Sequence, residues 1–388
     1  MSVAEDLAQD ALVAALEQWP ASGIPDNPGA WLMAAAKRRG IDALRRRVTL
    51  ERKRELIARE LQILQQLDQP DLAAQVDDVE DDVLRLVFMT CHPVLTRPAR
   101  VALTLRLVGG LSTPEIARAF LVSEGTVAQR IVRAKRTLVE AHVPFEVPGR
   151  AELADRLSPV LEVIYLIFNE GHAATAGEDW IRPALCRDAL RLGRILAALM
   201  PREPEVHGLL ALMELQASRL RARVGPHGEP VVLADQDRSR WDRLLVQRGL
   251  AGLRRAEALS GALGPYTLQA AIAACHARAR SLQQTDWPRI VALYDGLAAL
   301  TGSPVVELNR AVAVTMAYGP EAGLELVDAI AEEPALHGYH LLPSVRGDLL
   351  VRLGRPAEAH EEFLRAADLC NNDRERELLL RRASACGA

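Results

Sequence analysis

The sequence predicts an all-α protein of two or three domains. Ala, Leu and Arg dominate the composition and aromatic residues make up only 4% of it, which is typical of helix-forming sequences. Apolar residues recur at helical spacing along most of the 388 residues, and no alternating run of β-branched residues is long enough to predict a sheet. Gly and Pro interrupt this pattern repeatedly, so we expect helices joined by loops throughout.

Composition and cysteine spacing exclude several classes of protein. Hydrophobic residues are 49% and charged residues 25% of the chain, as in an ordinary globular protein. No apolar run approaches the ~18–20 residues of a membrane span, and the acidic N-terminus lacks the apolar core of a signal peptide. We therefore expect a cytoplasmic protein without a membrane partner. The five cysteines show no C-x-x-C spacing, which argues against a zinc site or a disulfide framework.

The first part of the chain predicts four helices. They are expected at about residues 4–18, 29–47, 50–68 and 80–91. A loop rich in Pro separates the first two, and Pro93 ends the fourth. From Pro98 the pattern predicts a helix, a short helix, a turn and a further helix that ends near His142.

The last three of these elements have the pattern of a helix-turn-helix, in the segment LSTPEIARAFLVSEGTVAQRIVRAKRTL (residues 111–138). Ser112 or Thr113 is expected to cap the first helix, with Pro114 in its first turn, and Ser123 to cap the second. Ile116 and Ala117 should face inward together with Phe120. The alternative is a helical hairpin with a charged surface.

The second helix of this motif carries small polar residues first and basic residues later, which suits a helix in the DNA major groove. Early side chains can reach base edges and later ones can reach phosphates. The side chains expected to contact DNA are Ser123, Thr126, Gln129, Arg130, Arg133, Lys135 and Arg136.

Charge is segregated along the N-terminal part of the chain. Residues 37–54 hold nine basic and two acidic residues, residues 68–82 hold seven acidic residues and no basic one, and residues 100–136 hold seven basic and two acidic residues. Two basic blocks around an acidic linker indicate two nucleic-acid contacts. The alternatives are solvated helix faces and a flexible acidic tether.

Three segments together resemble the extracytoplasmic-function sigma factors. SEGTVAQRIVRAKR (Ser123–Arg136) resembles the promoter-reading helix of that family. AEDLAQDA (Ala4–Ala11) resembles its core-polymerase-binding helix, and PGAWLMAAAKRRGIDALRRR (Pro28–Arg47) resembles its −10-reading helix. The three occur in the family's order. The family normally has a further helix before the Ala4–Ala11 segment, so the first domain is expected to be short at its N-terminal side.

The resemblance implies a role for each segment and a division of residues 1–148 into three parts. Residues 1–48 would bind core polymerase and the −10 element, 49–95 would be a charged linker and helix, and 96–148 would bind the −35 element through the side chains given above. The implied core-polymerase contacts are Glu5, Asp6, Gln9 and Asp10. The implied −10 contacts are Asn27, Trp31, Lys37, Arg38, Arg39, Arg45 and Arg46. Trp31 could instead belong to a core, and the acids could serve only the helix dipole.

Residues 149–388 resemble the C-terminal extension of a sigma-factor subgroup with tetratricopeptide-like repeats. The segments that carry this resemblance are YLIFNEGH (Tyr165–His172), DQDRSRWD (Asp235–Asp242) and GRPAEAHEEF (Gly354–Phe363). GPEA at 319–322 and GRPA at 354–357 lie 35 residues apart, close to the ~34-residue period of those repeats. Such arrays bind proteins or peptides on a concave face, so a protein or peptide regulator is expected here.

The extension shows no residue pattern of an enzyme. Glu170 and His172 would point in different directions on a helix, with no third ligand in sequence, so a core or helix-end role is expected. Asp235, Asp237 and Asp242 alternate with arginines beside Trp241, which predicts ion pairs. We expect no catalytic residue, metal or cofactor.

The sequence thus predicts a sigma factor that directs bacterial RNA polymerase to chosen promoters, with a regulatory helical extension. One alternative is a helix-turn-helix regulator with a repeat-built sensor that never joins polymerase. Another is a scaffold whose basic blocks are incidental.

Overall fold

A computed structural model describes residues 78–387 except positions 121, 150–151 and 227. The helices predicted at 4–18, 29–47 and 50–68 lie outside the described residues. The described part is built of helices without a β-strand, which confirms the all-α class. It lies within one compact unit, Asp77–Ala388. Among the described helices, none combines the length and the apolar character that a bilayer span requires.

Four helices precede the proposed boundary near residue 149. They are α1 (Asp78–Thr90), α2 (Arg97–Leu107), α3 (Thr113–Ala119) and α4 (Glu124–Glu140). All four predicted helices of this region are confirmed, within a few residues at each end. The segment between α4 and the next helix contains Pro144, Pro148 and Gly149, and the helices on both of its sides belong to the same compact unit.

Eleven helices follow, and they form helical repeats. The first five are α5 (Leu153–His172), α6 (Pro183–Leu199), α7 (Pro204–Ala217), α8 (Arg243–Leu259) and α9 (Pro265–Arg278). The last six are α10 (Trp287–Thr301), α11 (Pro304–Tyr318), α12 (Pro320–Ala329), α13 (Leu341–Arg352), α14 (Pro356–Leu369) and α15 (Asp373–Cys386). Three short 3-10 turns interrupt the chain between α7 and α8, and a fourth precedes α13.

Consecutive helices bury their apolar faces against one another. One cluster joins α7 to α9 through Leu212, Leu253 and Ala270, and a second joins α9 to α11 through Ile272 and Ile290. A third cluster extends from α11 to α15, and Phe363 lies at its centre with 1% exposure. Each repeat therefore depends on its neighbour for a core.

The two related tetrapeptides identified in the sequence each lie at the turn that precedes a helix. Gly319 joins α11 to α12 and Gly354 precedes α14, with φ values of 109° and 70°. Backbone in this region favours glycine because it has no Cβ. Pro320 and Pro356 each occupy the first position of the following helix, where the missing N–H group costs no hydrogen bond.

The repeat array closes on itself through Asn372. This side chain is 1% exposed and donates hydrogen bonds from Nδ2 to the carbonyl oxygens of Ala174 (3.2 Å) and Asp179 (2.9 Å). Its Oδ1 accepts from the Glu375 N–H at 3.2 Å and so caps α15. The backbone of Gly177 also pairs with residues 371 and 373. The last hairpin is thereby joined to the loop that follows α5, about 195 residues earlier.

Two of the acids around Trp241 cap helical turns, and no salt bridge joins the acids of this segment to its arginines within the described residues, so the predicted ion pairs are wrong there. Asp237 accepts from the Ser239 N–H, and Asp242 accepts from the N–H groups of Leu244 and Leu245. A short acidic side chain that precedes a helical turn has free N–H groups beside it, and these are nearer than any guanidinium.

Replacing Asn372 with Ala should destabilise the protein by about 2–4 kcal/mol, because the carbonyl groups of buried Ala174 and of Asp179 and one helix N-terminus lose their partner. Chemical denaturation measures this change. The matched control is Asp242→Ala, which removes only a cap and should cost about 1 kcal/mol. Equal losses in the two variants would show that the closure contributes nothing beyond capping.

Candidate nucleic-acid interface

The helix-turn-helix is held by two local capping arrangements. Ser112 caps α3: its hydroxyl oxygen accepts from the Glu115 N–H at 3.4 Å, and the Glu115 carboxylate accepts from the Ser112 N–H at 2.7 Å and from its hydroxyl at 2.6 Å. This reciprocal arrangement is a capping box. Ser123 caps α4, with Oγ accepting from the Thr126 N–H at 3.1 Å and lying 2.8 Å from the Thr126 hydroxyl oxygen. Ser123 and Thr126 are thus fixed together at the N-terminus of α4.

The inner face of the motif matches the expected pattern. Ile116 and Ala117 of α3 are buried, and Phe120 is half-buried. The buried residues of α4 are Val127, Ile131, Ala134 and Leu138. Their spacing of four, three and four residues packs one side of α4 against the motif and turns the opposite side to solvent.

The solvent side of α4 brings together part of the predicted DNA-contact set. Gln129, Arg133 and Arg136 are exposed on it, while Thr126 and Arg130 are half-buried along its edge. Lys135 is also exposed but lies roughly 120° round the helix from Gln129. Three of the predicted side chains therefore form one outward surface, and Lys135 is separate from it.

Arg136 is engaged within its own helix. Its Nε lies 2.6 Å from the Glu140 carboxylate, and hydrogen bonding to that carboxylate raises the Arg136 pKa. Exposed i,i+4 pairs of this kind contribute little to stability. The guanidinium can exchange this partner for a phosphate at small cost.

Sequence reasoning missed Val132, which lies about 60° round the helix from Gln129 on the outward surface and is 65% exposed. An apolar side chain there can contact the methyl group of thymine. The signal was available, because Val132 does not share the spacing of the buried residues of α4. We call the exposed side chains of Gln129, Val132, Arg133 and Arg136 the reading face.

Side chains of the extension contact the motif and the preceding helix at residues outside the reading face. Arg191 of α6 donates to the Gly109 carbonyl oxygen at 2.6 Å, just past the end of α2. Arg182 donates to the carbonyl oxygen of Ala119, the last residue of α3. Glu162 of α5 pairs with Arg97 at 2.6 Å and with Arg100 at 3.3 Å. These contacts were not predictable, since they join residues more than 60 positions apart.

Glu170 and Arg182 form a nearly buried ion pair at the centre of this contact, with side chains 10% and 11% exposed. Arg182 also donates to the Ala176 carbonyl oxygen at 2.8 Å, and Glu170 accepts from the Thr175 hydroxyl at 2.9 Å. The expected structural role of Glu170 fits this arrangement. His172 stacks on Phe168 with ring centroids 5.6 Å apart, and burial lowers its pKa well below the ordinary value.

One group of described side chains has the chemistry of metal ligands: His340, Cys370 and Glu375, whose ligand atoms lie within 4.8 Å of one another. His340 Nε2 is 3.2 Å from the Glu375 carboxylate, and the Cys370 thiol donates to that carboxylate at 3.7 Å. Burial raises the Cys370 pKa to about 11.

The other predicted contacts lie outside the described residues. They are the core-polymerase contacts Glu5, Asp6, Gln9 and Asp10 and the −10 contacts Asn27, Trp31, Lys37, Arg38, Arg39, Arg45 and Arg46. Nothing in the structure tests them.

Comparison with known proteins gives matches to three families. Residues 2–49 match Sigma-70 region 2, residues 85–138 match Sigma-70 region 4, and residues 156–257 match a family of unknown function, DUF6596. The region 4 match covers α2, α3 and nearly all of α4. An uncharacterized protein of Rhizobium meliloti (strain 1021) is 45% identical over 379 residues, which are 97% of this chain and 88% of that protein.

The two sigma regions occur in their expected order, and the second coincides with the helix-turn-helix and its exposed reading face. This chain therefore belongs to the sigma-70 family and is a sigma factor for transcription initiation, with core RNA polymerase and promoter DNA as its partners.

Proposed function

We propose that the reading face of α4 reads the −35 element while the helical extension holds the helix-turn-helix in position from behind. The observation that carries this proposal is that the contacts of the extension with α2–α4 leave the reading face exposed. Arg182, Arg191 and Glu162 contact α3, the turn after α2 and α2 itself, while Gln129 and Arg133 remain exposed.

The chemistry of the contacts suits a positioning role. The last carbonyl groups of a helix lack intrahelical partners and carry partial negative charge, so cations near them are stabilising. Arg182 meets such a group at Ala119, and Arg191 meets the Gly109 carbonyl oxygen, two residues beyond the end of α2. Both arginines bind backbone, so they fix the orientation of the motif without depending on its side chains.

The N-terminal region supplies the remaining functions in this proposal. Glu5, Asp6, Gln9 and Asp10 contact core polymerase, and the basic helix with Trp31 and Asn27 holds the −10 element. The match to region 2 covers all of these residues. That match argues against a helix-turn-helix regulator that acts outside polymerase. It also argues against a scaffold with incidental basic blocks.

The extension itself, residues 149–388, is proposed to be a tetratricopeptide-like regulatory array that receives a protein or peptide regulator. The stacked hairpins, the equivalent Gly319 and Gly354 turns and the 35-residue offset support this. Control would act through the contacts of Arg182 and Arg191, because these connect the array to the DNA-reading motif.

Replacing Arg133 with Ala should weaken promoter binding by the polymerase holoenzyme by about 1–3 kcal/mol if Arg133 reads a base edge. Binding is measured on a promoter fragment chosen by its transcription in vitro. Arg280→Ala, which removes an exposed arginine from the extension, is the charge-matched control. Unchanged affinity of the Arg133 variant would show that this side chain does not contact promoter DNA.

A double substitution, Asp6→Arg with Asp10→Arg, should abolish association with core polymerase, because it reverses two charges on the proposed contact helix. Co-purification with core enzyme measures this, and circular dichroism checks that helical content is retained. Wild-type yield of the complex would show that this segment does not contact polymerase.

Replacing Arg182 with Met together with Glu170→Gln should release α3 without leaving a buried carboxylate unpaired. Amide exchange over residues 113–122 should rise about 10-fold, since hydrogen bonds to charged groups contribute about 1.5–3 kcal/mol. Promoter-directed transcription should fall in the same variant. The matched control is Arg355→Met with Glu358→Gln, which neutralises an exposed pair. Wild-type exchange and transcription in the first variant would contradict the positioning role.

A further inference from the structure

Three arginines lie close together inside the closed array, where the described carboxylates form no ion pair with them. Arg219 and Arg223 follow α7, and Arg238 lies in the last 3-10 turn before α8. Arg219 donates to the Gln216 side chain at 2.9 Å, and Arg223 lies 5.2 Å from the Trp180 ring centroid. Arg238 donates to the carbonyl oxygens of His276 (2.6 Å) and Ala279 (2.7 Å).

This group carries positive charge that its surroundings do not neutralise. Burial, aided by the neighbouring arginines, lowers the pKa of Arg219 to about 9, and burial lowers that of Arg223 to about 10. Glu375 is the carboxylate whose negative charge favours the protonated form of Arg223 and raises its pKa. Its oxygens already face His340 and Cys370, at 3.2 Å and 3.7 Å.

Buried polar atoms without a partner concentrate around the same arginines. Nine such side-chain atoms occur among the described residues, and six belong to this group: Arg223 Nε, Trp180 Nε1, Trp241 Nε1, His172 Nε2, His276 Nδ1 and Gln236 Oε1. The first three can only donate hydrogen bonds. A buried donor without an acceptor costs about 1–3 kcal/mol, so such a concentration points to an acceptor that occupies the site.

The side chains beside these arginines are not fully enclosed. Tyr294 lies near enough to Arg219 and Tyr165 to interact with both, and burial raises its pKa to about 12, yet all three side chains are partly accessible. Further aromatic rings lie next to this group. Tyr165 meets Tyr266 edge-on at 5.4 Å, and His276 meets Trp287 at 5.2 Å. We call the three arginines, together with these rings and the partly accessible region between them, the basic chamber.

We propose that the basic chamber binds a small organic anion, with its phosphate or carboxylate group on Arg219 and Arg223 and a flat apolar body against the aromatic walls. Guanidinium groups bind both kinds of anion through paired hydrogen bonds. A cation is disfavoured, because three arginines surround the site. Binding here is independent of whether the extension regulates transcription, so the two are measured separately.

The test uses the full chain dialysed into chloride buffer, with phenyl phosphate and benzoate as probes and neutral phenol as the control ligand. Titration calorimetry should show saturable binding of at least one of the two anions and none of phenol. Arg219→Gln with Arg223→Gln should weaken that binding at least 10-fold, while Arg254→Gln, an exposed arginine of α8, should leave it unchanged. The double variant should melt at the same or a higher temperature than the wild type without ligand, because like charges are removed.

Native mass spectrometry of the purified chain detects a ligand carried through purification, which the double variant should lack. Absence of both saturable anion binding and a co-purified mass in the wild type would overturn the proposal. Equal binding in the wild type and the double variant would also overturn it. Saturable binding without a change in transcription would support the chamber as a ligand site and would count against ligand control of the factor.

Discussion

The described structure depends on the nearly buried ion pair between Arg182 and Glu170. Removing either partner from such a pair leaves an uncompensated charge in a nearly buried site. The Arg182 guanidinium is therefore held in one orientation. In that orientation it also donates to two backbone carbonyl oxygens, that of Ala176 in the same loop and that of Ala119 at the end of α3. One rigid planar group fixes both the loop after α5 and the helix-turn-helix.

That loop, residues 173–182, contacts the last hairpin, the basic chamber and the helix-turn-helix. Ala174, Gly177 and Asp179 receive the last hairpin through Asn372 and its neighbours, which closes the array. Trp180 lies against Arg223 of the basic chamber, and Arg182 reaches the DNA-reading motif. A ligand that neutralised Arg223 would act on a ring only two residues from Arg182. The loop therefore links the chamber to α3 through a chain of contacts. The substitutions at Arg182 and Arg223 test whether a change at one end of this chain alters stability at the other.

Local pattern predicted most of the helices and the inner face of the motif, since caps, prolines and apolar spacing act over a few residues. Ser123 caps α4 and Ile131 is buried because of neighbours within one or two turns. The contacts of Arg182, Arg191 and Asn372 could not be predicted, because each depends on residues 60 to 200 positions away. Asp242 shows a local failure: its charge indicated an ion pair, but the free N–H groups of the next turn were nearer. The −10 and core-polymerase contacts stay predictions.

The central claim is that the extension supports the helix-turn-helix from behind and leaves its reading face open. Thiol labelling of a Val132→Cys variant tests this most directly, with Cys386→Ser in the background because the other four native cysteines are buried. The account predicts labelling at the rate of an exposed thiol in the free protein and strong slowing when the holoenzyme is bound to promoter DNA. Slow labelling in the free protein that becomes fast when the extension is removed would show that the extension covers the reading face, and would contradict the account.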